Sequence, residues 1–222
     1  MIKESTIELL KLNDFEWGLY AFSRDPLGGK LTDEEKKEFI FEANKCGAEQ
    51  AQKLEKEIGK KSVREYAQKL KVQVTLEDSD GTNDYIVFAK FNYPNKVTIF
   101  SGNVKKVEKL IEENDMGKLL GQVDIESMLI AHEMYHYVEE GNKDIYTKTK
   151  KIELWKLGPI HYKSHLTALS EIAAMSFTRE LLHLDYNPYI FDGIMLYPHD
   201  AKKTQELIDE ILTFKINTRE GG

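Results

Sequence analysis

The feature that most constrains this chain is the pentapeptide His132-Glu133-Met134-Tyr135-His136. On an α-helix, residues four apart project to nearly the same side, about one turn apart along the axis. Asp124 precedes the pentapeptide as a candidate N-cap, and apolar residues recur at helical spacing between the two. These patterns predict a helix over residues 124–140 that directs both imidazoles towards one site.

Two histidines with this spacing suit a divalent metal ion. Imidazole nitrogens bind zinc at about 2.0–2.1 Å, and a catalytic zinc keeps three protein ligands and leaves one position for water. Glu133 lies on the flank of the same helix face, where a carboxylate can accept a proton from that water. The spacing therefore predicts His132 and His136 as ligands of Zn²⁺, preferred from the ligand type, and Glu133 as the catalytic base.

A third ligand is required, and Glu171 is the strongest candidate. It lies in the apolar segment 169–174, where an unpaired carboxylate is costly unless a cation compensates it. The alternative for Glu171 is a surface position, or a salt bridge to Arg179 or a lysine. The alternatives for the third ligand are His161, His165 and His183.

Composition narrows the class of protein. The 222 residues are 41% hydrophobic and 31% charged, which is typical of a soluble globular domain. The formal net charge of −7 disfavours nucleic acid as a direct partner. Cys46, the single cysteine, cannot form an internal disulfide, and no stretch resembles a signal peptide or a spanning helix of about 20 apolar residues. We therefore expect a cytoplasmic protein with no membrane partner.

Capping patterns predict helices in the first third of the chain. Thr32 with Glu35 and Ser62 with Glu65 form capping boxes, in which each side chain satisfies a backbone N–H at the helix start. Apolar residues then recur at helical spacing up to Gly59, which ends the first of these helices. We expect one domain over 1–222, with residues 1–60 as a helical N-terminal extension.

The middle of the chain is rich in β-branched and aromatic residues. It predicts a strand over 72–76 and a hairpin of strands 85–89 and 97–100 around a turn at 93–96. Periodic segments predict helices over 103–119, 124–140, 164–185 and 201–214. The expected fold class is α+β, with a small, mostly antiparallel sheet packed against helices that include the one carrying the pentapeptide.

Two motifs occur together in this chain: H-E-x-x-H at residues 132–136, and E-x-x-A-x-x-F in the segment Ser170–Phe177. In this combination residues 62–185 resemble the ImmA/IrrE family of cytoplasmic metallopeptidases. The resemblance implies a zincin-like fold of the gluzincin kind, with His132, His136 and Glu171 as zinc ligands and Glu133 as the base. Members of that family often sit beside a helix-turn-helix repressor, so the resemblance also implies such a repressor as a partner.

The leading functional hypothesis is a zinc-dependent peptidase that hydrolyses a peptide or protein substrate, such as a regulatory protein. The alternative is a catalytically inactive, protease-like binding module that contacts a regulator, and a third reading is a zinc-stabilised scaffold. A peptidase also needs a donor for the developing oxyanion. The sequence leaves several candidates open for it: Tyr135, Tyr137, His161, Tyr162, His165, His183 and Tyr189.

Overall fold

The computed structural model describes residues 2–80, 86–121, 124–158 and 160–216. Along the chain the elements are α1 (Ile2–Leu9), α2 (Asp14–Arg24), a 3₁₀ turn (Gly28–Lys30), α3 (Asp33–Ile58), α4 (Val63–Lys69), β1 (Gln73–Glu77), β2 (Ala89–Asn92), β3 (Lys96–Phe100), α5 (Ser101–Glu113), α6 (Gly117–Leu120), α7 (Ile125–Gly141), α8 (Tyr146–Thr149), β4 (Ile152–Leu157), β5 (Ile160–Ser164), α9 (Thr167–Leu182), α10 (Ile190–Leu196) and α11 (Ala201–Leu212). The α+β prediction is confirmed. Among the described helices, none has the length and apolar character needed to cross a membrane.

Local capping sets the starts of the predicted helices. The Thr32 side chain accepts a hydrogen bond from the Glu35 backbone N–H, and Glu35 accepts one from the Thr32 N–H, so α3 begins where the capping box predicts. Ser62 and Glu65 do the same for α4. Gly59 follows α3 with a φ of 81°, a conformation that glycine adopts without strain. These starts need no tertiary information.

The predicted sheet is mixed rather than mostly antiparallel. Its strand order is β1-β3-β2, with β1 parallel to β3 and β2 antiparallel to β3. The hairpin turn at Tyr93–Asn95 is confirmed, but its first strand is Ala89–Asn92 rather than 85–89. Tyr85, which begins the predicted strand, lies outside the described residues. The order of strands depends on the pairing of β1 with β3, the second strand of the hairpin, and strand propensity does not determine this pairing.

Two predicted helices have different bounds in the structure. The helix expected over 103–119 is two helices, α5 and α6, because Asp115 adopts a left-handed conformation with φ 47° between them. The helix expected over 164–185 begins at Thr167, since β5 extends to Ser164, and it ends at Leu182, where His183 is left-handed. Both errors lie at junctions where polar residues leave the helical path.

The antiparallel ribbon of β4 and β5 has no counterpart among the predicted elements. It pairs Trp155 with Tyr162 across the strands, and the two rings stack at a centroid distance of 5.7 Å. Both rings are about half exposed, and Leu157 near the turn is more exposed still. Ile152 at the start of β4 is buried, but the rest of this strand leads into solvent, so apolar and polar residues do not alternate along it in the way by which strands are usually predicted.

The core joins the N-terminal helices to the later ones. Buried residues of the first helices, including Leu9, Trp17 and Phe39, belong to the same apolar cluster as Ile130 of α7 and Phe177 of α9. Helix α3 packs along α9. The predicted extension over residues 1–60 therefore contributes side chains to the core beneath α7 and α9.

Candidate metal centre

Helix α7 carries the pentapeptide. Asp124 caps it by accepting a hydrogen bond from the Ser127 N–H, as predicted, and the helix continues to Gly141. Ile130, Ala131 and Met134 on its inner face are buried without remaining exposure. His132, Glu133 and His136 are only partly buried, so they face the edge of the core. The buried face fixes the rotation of the helix, and this rotation presents the two imidazoles together.

Helix α9 carries Glu171, and the N-terminal part of the chain holds the start of this helix. Leu166, the residue before α9, offers no side-chain cap. Instead Asp25 Oδ2 accepts a hydrogen bond of 2.9 Å from the Ala168 N–H. The other oxygen of Asp25 accepts from the Leu27 N–H, which fixes the carboxylate in place. A residue from the end of α2 therefore fixes the first turn of α9, one turn before Glu171.

The structure brings the three predicted ligands together. Their ligand atoms all lie within 4.8 Å of one another. The His132 Nε2–His136 Nε2 distance is 3.3 Å, His132 Nε2 lies 3.3 Å from Glu171 Oε2, and His136 Nε2 lies 3.6 Å from Glu171 Oε1. Tetrahedral zinc with bonds of about 2.0–2.1 Å requires ligand atoms about 3.3–3.4 Å apart. The donor set and its spacing therefore fit a zinc ion.

The charges of His132 and Glu171 depend on each other. Burial alone would lower the pKa of His132, but the hydrogen bond and the negative charge of Glu171 outweigh it and raise the pKa to about 9. Burial would likewise raise the pKa of Glu171, but the hydrogen bond and charge of His132, together with the charge of His136, lower it to about 2. Glu171 is thus held in the ionised form that a metal ion requires, whereas His132 must lose its proton when a metal ion binds.

A hydrogen-bonded cluster of Ser170, Glu139 and Thr147 lies on the Nδ1 side of the His136 ring. The Ser170 hydroxyl lies 3.3 Å from His136 Nδ1 and donates a hydrogen bond of 2.7 Å to Glu139 Oε2, which is itself 3.8 Å from His136 Nδ1. Thr147 donates to the other oxygen of Glu139 and contacts the Tyr135 hydroxyl at 3.2 Å. Burial opposes ionisation of Glu139, but bonds from His136, Thr147 and Ser170 lower its pKa. Such partners orient a metal-binding imidazole and fix its tautomer.

Glu139 and Ser170 are not among the site residues that the sequence predicts. Both could be found from spacing: Glu139 is three residues after His136 on the same helix, and Ser170 immediately precedes Glu171. Thr147 could not, because it approaches Glu139 only through the fold of the α7–α8 connection.

A cavity of about 490 Å³ opens beside two of the three ligand side chains. His132, Glu133 and Glu171 line it, so the predicted base lies in the same cleft as two of the predicted ligands. The other walls are mainly apolar: Ile86, Val87, Phe88, Ala89, Met128, Leu129, Met175, Pro188, Phe191 and Met195. A volume of this size is typical of a ligand-binding cleft.

The other histidines considered as ligands lie elsewhere. His161 contacts Glu153 on the β4–β5 ribbon, and the side chain of His165 is exposed. His183 Nε2 lies 3.7 Å from Glu55 Oε1 at the far end of α9. Within the described residues, none of the three joins the group of His132, His136 and Glu171.

The candidate oxyanion donors are not brought to the cleft either. The cleft walls formed by described residues include none of them. The Tyr135 hydroxyl contacts Thr147, the Tyr137 hydroxyl donates to the Leu70 carbonyl, and Tyr162 stacks on the ribbon. Tyr189 lines a second cavity that Glu171 also lines.

Asp192 of α10 is a further polar residue of the cleft, and it is not among the site residues that the sequence predicts. It lines both the cleft and the second cavity, which has a volume of about 250 Å³. Tyr20 Oη donates a hydrogen bond of 2.9 Å to Asp192 Oδ2. Asp192 lies after both sequence motifs and belongs to neither, so only the fold places it in the same cleft as Glu171.

Comparison of this chain with models of protein families, with curated proteins and with solved structures finds no match. The geometry of the site is therefore the basis for any functional conclusion.

Proposed function

We propose that this protein is a zinc-dependent peptidase of the gluzincin kind. The single observation that carries the proposal is the convergence of His132, His136 and Glu171 at tetrahedral ligand spacing, next to a free acid in an open cleft. Purely structural zinc sites usually have four protein ligands, often cysteines. The described residues offer three ligands here and leave room in front of them, which favours a catalytic site.

His132, His136 and Glu171 would hold the ion, and Glu139 with Ser170 would keep the His136 ring in its binding orientation. Zinc, when bound at such a site, lowers the pKa of water and polarises a carbonyl group. Glu133 accepts the proton released from the attacking water and passes it to the leaving amine. Glu133 is suited to this exchange because it faces the cleft and is not one of the three clustered ligand residues.

The shape of the cleft favours a peptide chain as substrate. Ala89 of β2 lines the cleft, and β2 lies at one end of the strand order β1-β3-β2. A peptide in extended conformation can add to such a strand through backbone hydrogen bonds. A regulatory protein, such as the helix-turn-helix repressor implied by the family resemblance, is the proposed protein substrate.

The proposal is tested with Glu133→Gln, matched by Glu140→Gln, an exposed glutamate of the same helix that pairs with Lys148. We expect Glu133→Gln to bind zinc as the wild type does but to lose hydrolysis of a quenched fluorescent peptide library by at least about 100-fold, since general base catalysis contributes that much or more. Glu140→Gln should retain both properties.

Two results would contradict this proposal. Hydrolysis that survives in Glu133→Gln would exclude Glu133 as the base. A wild-type protein that binds zinc but hydrolyses neither the library nor a co-expressed regulator would favour the alternative function, a protease-like binding module.

A further inference from the structure

We infer that the cleft selects a lysine side chain of the substrate, whose ammonium group binds the carboxylate of Asp192. This inference rests on the proposed function and deepens it, since it names the side chain that a peptide substrate presents. Three observations support it. Asp192 lies in the wall of the cleft, no cationic side chain of the described residues forms an ion pair with it, and apolar side chains surround it.

Asp192 is held so that one carboxylate oxygen is left for the cleft. Tyr20 binds Oδ2, and Tyr20 lines the second cavity but is not among the cleft walls, so it holds the carboxylate from behind. Oδ1 makes no hydrogen bond to any residue that the structure describes. The phenol of Tyr20 therefore fixes the orientation of the carboxylate and leaves its second oxygen available to a ligand.

No cationic side chain of the described residues forms an ion pair with Asp192. The positive charges of His132 and Arg24 act on it only at a distance and favour its ionised form, and the negative charge of Glu171 opposes them. Burial raises the pKa of Asp192 to about 6, so the group is mostly ionised at pH 7.5 and above. A buried anion without a partner is costly, and a cation that enters the cleft removes part of that cost. Glu171, by contrast, already has His132 beside it.

The neighbouring walls suit a long alkyl chain. Met128, Met175, Phe191 and Met195 line the cleft from three different helices. Methionine side chains are flexible and adapt to the shape of an aliphatic group, and lysine buries its methylene stem against apolar surface while its ammonium stays in polar contact. An acid within apolar walls therefore matches the two parts of a lysine side chain.

The geometry favours lysine over arginine. A guanidinium group binds best when both oxygens of a carboxylate are free for a pair of parallel hydrogen bonds. Tyr20 occupies one oxygen of Asp192, whereas an ammonium group acts as a point charge and needs only the other.

The test measures binding rather than turnover, in the full chain carrying Glu133→Gln so that hydrolysis and the Glu133 charge are both removed. The probes are the N-acetyl amides of lysine, arginine and norleucine, the last having the alkyl stem without the ammonium. Methionine methyl groups labelled with ¹³C report binding by NMR at pH 8. Met128, Met175 and Met195 line the cleft, while the buried Met116 and Met134 do not and serve as internal references.

We expect the lysine probe to shift the cleft methionine signals with a dissociation constant at least about tenfold lower than that of the norleucine probe, as one charge-assisted hydrogen bond permits. Adding Asp192→Asn should bring the dissociation constants of the lysine and norleucine probes within about twofold of each other. Adding Asp209→Asn, which changes an exposed acid of α11, should keep the tenfold difference. The lysine probe should bind more tightly than the arginine probe, and Tyr20→Phe should reduce the difference between their dissociation constants.

Equal binding of lysine and norleucine probes would overturn the inference without any further variant, so it does not depend on whether Asp192→Asn folds. A tenfold difference that survives Asp192→Asn, with an unchanged thermal midpoint, would overturn it as well, and binding of arginine at least as tight as lysine would exclude lysine selection. Failure of the proposed function is seen separately, in the zinc-dependent hydrolysis of the Glu133 parent, because the probe measurement requires no turnover.

Discussion

Ser170 is the residue immediately before Glu171, and its hydroxyl contacts both Glu139 and His136 of the neighbouring helix. Adjacent residues of one helix point in different directions, so α9 supplies a candidate metal ligand with Glu171 and supports another with Ser170. The two helices are thus connected at the site by a ligand and by the group that orients a second ligand. Small changes in how α9 lies against α7 will alter both at once.

The proton on His132 should make zinc binding depend on pH. Because its pKa is raised to about 9 by Glu171, zinc must displace a proton from His132 at neutral pH. Raising the pH towards 9 removes that competition, so zinc affinity should increase by about tenfold for each pH unit between 6.5 and 8. Competition with a chromophoric chelator measures the zinc affinity at each pH. An affinity that does not change over this range would show that His132 is neutral before the metal binds.

At the residue scale, the sequence predicts those site residues that can be recognised from their spacing on one helix or from their immediate neighbours. His132, Glu133 and His136 occupy fixed positions on one helix, and Glu171 is an acid in an otherwise apolar segment, so the pattern alone singles them out. Asp192 and Tyr20 are separated by more than 170 residues and meet only through packing. No local rule could connect them, because neither is unusual in its own segment.

At the scale of elements, the close approach of α3 to α9 determines where Glu171 lies. A Cβ atom added to Gly47 of α3 would lie 2.0 Å from the Ala173 carbonyl oxygen, which is far inside van der Waals contact. Only glycine lets the two backbones come this near. Ala173 is two residues after Glu171, so this contact fixes the part of α9 that carries the candidate ligand.

We therefore predict that Gly47→Ala destabilises the protein although alanine is the better helix former. Overpacking of this kind costs about 1–3 kcal/mol or more in the free energy of unfolding. Urea denaturation followed by circular dichroism measures the change. Gly117→Ala is the control, because no atom lies within 4 Å of a Cβ added there, and it should be neutral or slightly stabilising. Equal effects of the two substitutions would contradict the packing argument.

Elements were predicted well where their signals are local and poorly where partners decide. The helix starts at Thr32, Ser62 and Asp124 follow from capping residues that act within four positions. The parallel pairing of β1 with β3 does not follow from local signals, because it joins residues that are distant in sequence. The β4–β5 ribbon does not either, because apolar side chains such as Trp155 are exposed on it. Helix capping is a property of sequence, whereas strand order is a property of the assembled fold.

At the scale of the whole molecule, the candidate site is assembled from segments spread over most of the chain. The end of α2 caps α9 through Asp25, α3 packs along α9, and Tyr20 of α2 holds Asp192 of α10. The boundary predicted near residue 60 as the end of an extension stays a prediction. The contacts described here nevertheless couple the helices before that boundary to the residues around the cleft.

This coupling predicts that metal binding stabilises the whole fold. Zinc at 100 times its dissociation constant adds about 2.7 kcal/mol to the free energy of unfolding, which raises the melting temperature by roughly 5–10 °C for a chain of this size. Scanning calorimetry with zinc and with a chelator measures the difference. His132→Ala should abolish it, whereas His183→Ala, at the far end of α9, should preserve it. A zinc-dependent shift that persists in His132→Ala would place the ion elsewhere.

The ribbon has a practical consequence for following this protein in solution. Trp17 is 1% exposed in the core, whereas Trp155 is 50% exposed on the ribbon. Fluorescence of the native protein therefore has two sources that an aqueous quencher such as iodide separates, because it reaches the second indole and not the first. Emission that iodide cannot quench reports on the interior, and the quenchable part reports on the strands that lead into α9.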